Sequence, residues 1–166
     1  MQTSSALQES QTRWFSSHER EAYLRLLLCL DETSRYNRFA RAVNDHSIRV
    51  HVKQTSEAST PILGAFINGS LQGAGEFHLP DVGGRAEASF VVDQNWRNRG
   101  IGTELLMGIL RKAEETNCRS VRMTFLRSNL PMRKLALKAN ARLDLVLGDM
   151  QADIDIGQLV PVVRLK

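Results

Sequence analysis

Apolar residues recur with helical spacing twice near the start of the chain. Ser16 and Glu19 form a capping box, and apolar positions repeat every three or four residues from there to Leu30, which predicts a first helix. Thr33 and Ser34 are the expected caps of a second helix, with arginines between its apolar positions. Those positions are Tyr36, Phe39, Ala40 and Val43.

The pattern then changes to one that is typical of strands. In residues 45–55 three apolar residues alternate with Arg, His and Lys, which predicts a strand. A loop is expected next, and the apolar run 62–67 predicts a second strand. Asn68 and Gly69 predict a tight turn, so residues 71–79 are expected to return as the antiparallel partner.

Strands and helices alternate in the second half of the chain. The predicted order is a strand at 86–92, a helix from Gly100 to Asn117, a strand at 120–126, a helix beginning at Asn129 and Pro131, and a hairpin of 143–147 with 150–156 across Gly148 and Asp149. Helices interleaved with strands predict an α/β or α+β fold.

Length and composition fit one ordinary globular domain. The chain has 166 residues, of which 42% are hydrophobic and 24% are charged, so we expect a single domain over 1–166, with the polar residues 1–11 flexible. The start lacks the pattern of a signal peptide, and the longest apolar run, residues 26–30, is far too short to cross a membrane. We therefore expect a soluble, cytoplasmic protein.

Charge and cysteine content narrow the possible ligands. A net charge of +4 favours an anionic partner, but only 6% of residues are aromatic, so nucleic acid is the least favoured partner and none is predicted. Cys29 and Cys118 are interpreted as two buried thiols, and no Cys/His spacing predicts a metal site.

A glycine pair stands where a strand passes into a helix. The segment reads Arg97, Asn98, Arg99, Gly100, Ile101, Gly102, Thr103. Unpaired amides and the positive dipole at a helix start suit a pyrophosphate, and glycine lets it approach closely. The spacing matches neither the dinucleotide nor the nucleotide-binding glycine motif. A simple strand-to-helix turn remains the structural alternative.

In context, this segment resembles the GNAT superfamily of acyl-CoA N-acyltransferases, including bacterial members of the protein acetyltransferase type. Arg97, Gly100 and Gly102 match its pyrophosphate loop. The resemblance implies a mixed, mostly antiparallel central sheet flanked by helices, with acetyl-CoA as the acyl donor. It also implies cofactor contacts from Phe90, Val91 and Val92 on the family's fourth strand and from Asn129, Met132, Leu135 and Lys138 on a later helix. Residues 34–39 resemble the Ser-x-x-x-Arg-Phe segment of some bacterial members.

The chain departs from the family pattern in two places. Ala136 stands where the family often has a tyrosine as general acid, so protonation of the thiolate is left unassigned. Asn140 and Ala141 replace the usual Gly-Phe, although Asn can also end a helix.

Amine attack on a thioester needs a base, because a lysine-like amine with a pKa of about 10.4 arrives protonated. Glu87 is the candidate: it lies in an apolar strand, burial would raise its pKa, and it resembles the strand glutamate of related protein acetyltransferases. Glu87 could instead face solvent or pair with an arginine, and Glu76 is the alternative base. The single histidines are interpreted as structural or solvated; they are His18, His46, His51 and His78.

These observations predict an N-acetyltransferase that moves the acetyl group of acetyl-CoA directly to a primary amine of a protein or small molecule. A catalytically silent acyl-CoA sensor is the alternative, because the family tyrosine is missing. The acceptor is left open, as is a homodimer.

Overall fold

A computed structural model of the chain describes residues 9–16, 18–55 and 59–158. These residues form one seven-stranded sheet with the strand order β1-β2-β3-β4-β5-β7-β6. The strands are β1 Ser10–Trp14, β2 Ile62–Ile67, β3 Ser70–His78, β4 Arg85–Val92, β5 Ser120–Leu126, β6 Arg142–Val146 and β7 Asp149–Asp155. The helices are α1 Arg20–Leu28, α2 Glu32–Phe39, α3 Asp45–Gln54, α4 Ile101–Glu115 and α5 Leu130–Lys138.

The sheet is antiparallel except at its centre, where β4 and β5 run parallel. That parallel pairing extends over only three residue pairs and ends at Glu87 and Arg122, after which the two strands separate. The expected fold class, a mixed and mostly antiparallel sheet flanked by helices, is confirmed. Its distinctive feature is the opening between two central strands.

Two apolar clusters lie on opposite faces of the sheet. On one face α4 packs against β1–β5, closely enough that a Cβ at Gly108 would collide with the Leu63 side chain. On the other face α1 and α3 pack over Ile62, Ala74 and Val91. Because successive residues of a strand point to opposite faces, β2 is buried along its whole length.

The expected strand at 45–55 is wrong, because this segment is helix α3. Its alternating pattern also places Ile48 and Val52 four residues apart, and both are buried, whereas Val50 is 39% exposed. Asn44 caps the helix by accepting a hydrogen bond from the Ser47 amide at 2.9 Å. The sequence pattern of this segment fits both a strand and a helix, and burial against α1 selects the helix.

Smaller differences concern helix ends, turns and the first strand. Asp31, not Thr33 or Ser34, caps α2, which ends at Phe39. The closing hairpin is confirmed, although its turn residues with positive φ are Leu147 and Gly148. Strand β1 was not predicted, and its Ser10 and Gln11 pair with β2; residues 1–8 lie outside the described residues.

Of the two thiols expected to be buried, Cys118 is buried, whereas Cys29 is exposed at the end of α1. Within the described ranges, no helix combines the length and apolar character that a membrane span requires.

Candidate functional site

A cavity of about 510 Å³ opens where β4 and β5 separate. Residues 88–92 of β4 form one wall, while Thr124 and Phe125 of β5 lie across the opening. Because β4 pairs with β3 along its other edge, its edge toward the cavity has no strand partner beyond Glu87. Backbone N–H and C=O groups along that edge can pair with an extended ligand.

The N-terminus of α4 forms the far end of the cavity. Gly100 precedes the helix with φ +87°, a conformation that favours glycine, and no side chain caps the first amides. Gly102 also lines the cavity, and a Cβ built there would meet only Leu135, at 3.8 Å. The helix start thus presents free amides and a positive dipole to the cavity.

Helix α5 forms a second wall through Met132, Leu135 and Lys138. Asn129, itself part of the wall, caps α5 by accepting a hydrogen bond from the Met132 amide at 3.3 Å. Ala136, in the position of the family tyrosine, is fully buried and offers no proton donor.

Helix α2 forms a third wall, with Ser34, Asn37 and Arg38 lining the cavity. Arg97 links this wall to the glycine loop: its Nη2 donates to Ser34 Oγ at 2.8 Å and its Nε to the Val92 carbonyl at 3.2 Å. The Arg97 side chain therefore connects the α2 wall to the β4 wall, and it also lines the cavity.

The structure brings together the predicted cofactor residues with one exception. Those on the cavity wall are Phe90, Val91, Val92, Arg97, Asn98, Gly100, Ile101, Gly102, Thr103, Asn129, Met132, Leu135 and Lys138. Arg99 does not line the cavity, and its guanidinium instead stacks on the Trp96 ring, 4.6 Å from the centroid. Trp96 is on the wall itself, a residue that the sequence analysis did not select.

Glu87 lies at the point where the two strands begin to separate. The expectation that it is buried is wrong: its side chain is exposed. On the same face of the sheet, α1 and α3 pack over Val91 further along the strand. Arg122 lies opposite on β5, and its pKa is raised chiefly by the hydrogen bond to Asp153 and to a smaller extent by the charge of Glu87.

Glu76, the alternative base, is 1% exposed and accepts hydrogen bonds from several elements at once. The donors are Tyr23 Oη at 2.7 Å, Arg38 Nη2 at 2.8 Å, His51 Nε2 at 2.6 Å, His78 Nε2 at 3.2 Å and Ser89 Oγ at 3.2 Å. We call these six residues the Glu76 cluster. It ties α1, α2 and α3 to β3 and β4.

Burial alone would raise the pKa of Glu76, but Arg38 and the hydrogen bonds from His51 and His78 outweigh it. They hold the pKa well below its usual range, so the carboxylate stays ionised. Burial raises the pKa of Tyr23 above its ordinary value and keeps the phenol protonated. Glu76 is therefore poorly suited to accept a proton from a substrate.

Sequence reasoning assigned no partners to His51 and His78. For His78 a signal existed, because it stands two residues from Glu76 and so shares its face of the strand. For His51 there was none once its segment had been interpreted as a strand. His18 and His46 are exposed. Among the described residues, no group of three or more His, Cys, Asp or Glu is placed to hold a metal ion.

An opening between parallel strands that leads to an uncapped, glycine-preceded helix start defines a site for an extended ligand ending in phosphate. The sequence profile of the Acetyltransferase (GNAT) family matches residues 29–140. The chain belongs to this family of acetyltransferases. No curated protein matches the chain by sequence.

Solved structures share the fold at low sequence identity. The GNAT domain of S. lividans PAT superposes with a TM-score of 0.75 and 19% identity, over 88% of this chain and 90% of that one. A putative acetyltransferase from Salmonella typhimurium, yncA, was crystallised with acetyl-CoA. It superposes with a TM-score of 0.66 and 15% identity, over 90% of this chain and 95% of that one. The paia N-acetyltransferase from Thermoplasma acidophilum, in complex with coenzyme A, superposes with a TM-score of 0.67 and 15% identity, over 89% of this chain and 99% of that one.

Proposed function

We propose that the chain transfers the acetyl group of acetyl-CoA directly to a primary amine of a protein or small molecule. The observation that carries the proposal is the cavity, which runs from the open edge of β4 to the uncapped start of α4. Its volume of about 510 Å³ is within the range of small-molecule sites. Structural neighbours that were crystallised with acetyl-CoA or coenzyme A support the choice of donor.

The residues present fit the donor. The amides of Ile101, Gly102 and Thr103 would hold the pyrophosphate, since they belong to the first turn of α4. The free edge of β4 would pair with the pantetheine arm, and α5 would cover that arm with Met132 and Leu135.

Acetyl-CoA supplies an activated acetyl thioester. We assign Glu87 as the base that accepts the proton of the attacking amine, directly or through a water molecule, because it is exposed at the end of the paired part of β4. An N–C bond forms, the C–S bond breaks, and backbone amides of β4 polarise the carbonyl. Since Ala136 offers no acid, the thiolate takes its proton from water.

Two measurements test the proposal. Calorimetry should detect binding of coenzyme A, and a screen of amines and lysine peptides with acetyl-CoA should detect release of free thiol together with an acetylated product. If coenzyme A does not bind to the folded protein, the proposed function is wrong.

A second candidate, an acyl-CoA sensor without turnover, is favoured by the buried methyl group of Ala136 in the place of a general acid. The same screen separates the two. A sensor would bind acetyl-CoA but release no thiol with any amine above the rate without protein.

A further inference from the structure

Two members of the Glu76 cluster belong to the cavity wall. Arg38 of α2 and Ser89 of β4 both line the cavity, and both donate to the same oxygen, Oε2 of Glu76. The guanidinium is thus held next to Ser89 and not at the opposite end, beside Gly100.

This position is the inner end of the cavity. Pairing of β4 with β5 stops at Glu87, and Ser89 follows two residues later on the same face of the strand. Ala88, the first residue of β4 past the paired part, and Thr124, two residues past it on β5, also line the cavity. A ligand with its phosphates at Gly100 and its arm along β4 would therefore have its other end at Arg38.

Arg38 has little freedom to move from this place. Its side chain is only 7% exposed, and its Nη2 donates to Glu76 at 2.8 Å and to Tyr23 Oη at 3.1 Å. Both partners are themselves 1% exposed. Moving the guanidinium would break an ion pair in a desolvated environment and leave the Glu76 carboxylate without its counter-charge.

We propose that Arg38, fixed by Glu76, is the end wall of the acyl site and limits the donor to short acyl groups. The inference rests on the proposed function, because it requires acetyl-CoA to lie in the cavity with its phosphates at Gly100. A longer acyl chain would press methylene groups against an immobile charged group. In a site with room, one more buried methylene would strengthen binding about fourfold.

Glu76 is a positioning residue in this scheme, and it acts through Arg38. The test is a ratio of affinities, because the ratio does not depend on the fraction of folded protein or on an identified acceptor. Calorimetry with acetyl-CoA and propionyl-CoA should give a dissociation constant for propionyl-CoA at least about fivefold higher in the wild type.

The double variant Arg38→Ala with Glu76→Gln removes the wall and both charges together, so no unpaired charge is left buried. The ratio of its dissociation constants for propionyl-CoA and acetyl-CoA is expected to fall to about one or below. Arg38→Lys retains a charge opposite Glu76 and shortens the wall, and a ratio lower by at least about twofold is expected. Arg38→Lys provides the test if the double variant does not fold.

Two control variants separate the wall from its surroundings. Arg35→Ala removes another arginine of α2 that lines no part of the cavity, and it contacts Leu28, Leu30 and Asp45 instead. His51→Gln changes a Glu76 partner that is not on the wall. Both should keep the wild-type ratio.

The inference is overturned if the wild type binds both donors equally, or if a folded Arg38 variant that binds acetyl-CoA keeps the wild-type ratio. If the ratio of dissociation constants changed as much in His51→Gln as in the Arg38 variants, the effect would come from the general stability of the Glu76 cluster. That result would also overturn the inference. Absence of acetyl-CoA binding in the wild type would instead reject the proposed function, and the inference with it.

Discussion

Two carboxylates on the same face of the sheet have different surroundings and therefore different chemistry. Glu76 is buried among donors that hold its pKa well below the usual range, which leaves no protonation change near neutral pH. Glu87, two residues from Ser89 on the neighbouring strand, is exposed to solvent. Of these two, Glu87 is the one that we propose as the base.

The first prediction concerns Glu87→Gln, which keeps the shape of the side chain and removes the base. Turnover at neutral pH should fall by about 10², the lower end for general-base assistance, because the exposed carboxylate competes with solvent for the role. Affinity for coenzyme A should not change. Steady-state kinetics with an acceptor from the amine screen, together with calorimetry, measure the two quantities.

Raising the pH should partly rescue this variant, because more of the substrate amine is then neutral. Glu115→Gln is a matched control, since it changes an exposed carboxylate on α4, on the other face of the sheet. Wild-type turnover and an unchanged pH profile in Glu87→Gln would show that the carboxylate is not the base.

The second prediction uses Gly102→Asp to place a negative charge at the start of α4. The Cβ itself fits, with only Leu135 nearby at 3.8 Å, so the variant should fold. Its carboxylate would compete for the amides that hold the pyrophosphate. The dissociation constant of coenzyme A should rise more than about tenfold by calorimetry, and unchanged affinity in a folded variant would contradict the assignment of this loop.

At the scale of elements, local patterns were sufficient where one periodicity dominates. The alternation of 120–126 and the turn at Asn68 and Gly69 gave β5 and the β2–β3 hairpin correctly. The segment 45–55 was wrongly predicted to be a strand, because its apolar residues fit both a strand and a helix until α1 covers one side. The prediction that Glu87 is buried was wrong for a related reason: the sequence of an apolar strand does not show which of its residues a helix covers.

The third prediction separates two roles of Asn129. Asn129→Ala removes the cap of α5 and should lower the free energy of unfolding by about 1 kcal/mol. If the side chain also contacts the donor, coenzyme A should raise the melting temperature of the variant less than that of the wild type. Thermal melts with and without coenzyme A measure both, and equal ligand-induced shifts would leave only the cap.

The fourth prediction concerns the junction of β1 and α1. Hydrogen bonds from Arg13, above all, lower the pKa of Glu19 to about 2, and the Ser16 amide adds another at 2.8 Å. Such a shift corresponds to at most about 3 kcal/mol. Because Arg13 is 39% exposed, screening reduces this to about 1–2 kcal/mol.

Glu19→Gln should therefore destabilise the protein by about 1–2 kcal/mol at pH 7. A lowered pKa stabilises the folded state above the unfolded value of 4.5, and this contribution disappears as the pH falls through about 2. Urea unfolding from pH 7 to pH 2 should show the difference between variant and wild type vanish over that interval. A difference that stays constant with pH would contradict the ion pair.

At the scale of the whole molecule, the sequence could indicate the cavity but not the cluster behind it. The cavity residues occur in short motifs, so the glycine loop and the helix after Asn129 could be recognised one by one. The Glu76 cluster joins residues as far apart as Tyr23 and Ser89, and its His51 reaches Glu76 only because 45–55 is helical. Contacts of this kind depend on the assembled fold.

The separation of β4 from β5 also has a consequence for hydrogen exchange. Backbone amides of residues 88–92 that point toward β3 are held in the sheet, while those that point toward the cavity have no strand partner. The same strand should therefore contain alternating slow and fast amides in the free protein. Coenzyme A should slow only the fast set, by at least about tenfold, with the β3-facing amides as an internal reference, and equal exchange with and without the ligand would contradict pairing of the donor with this edge.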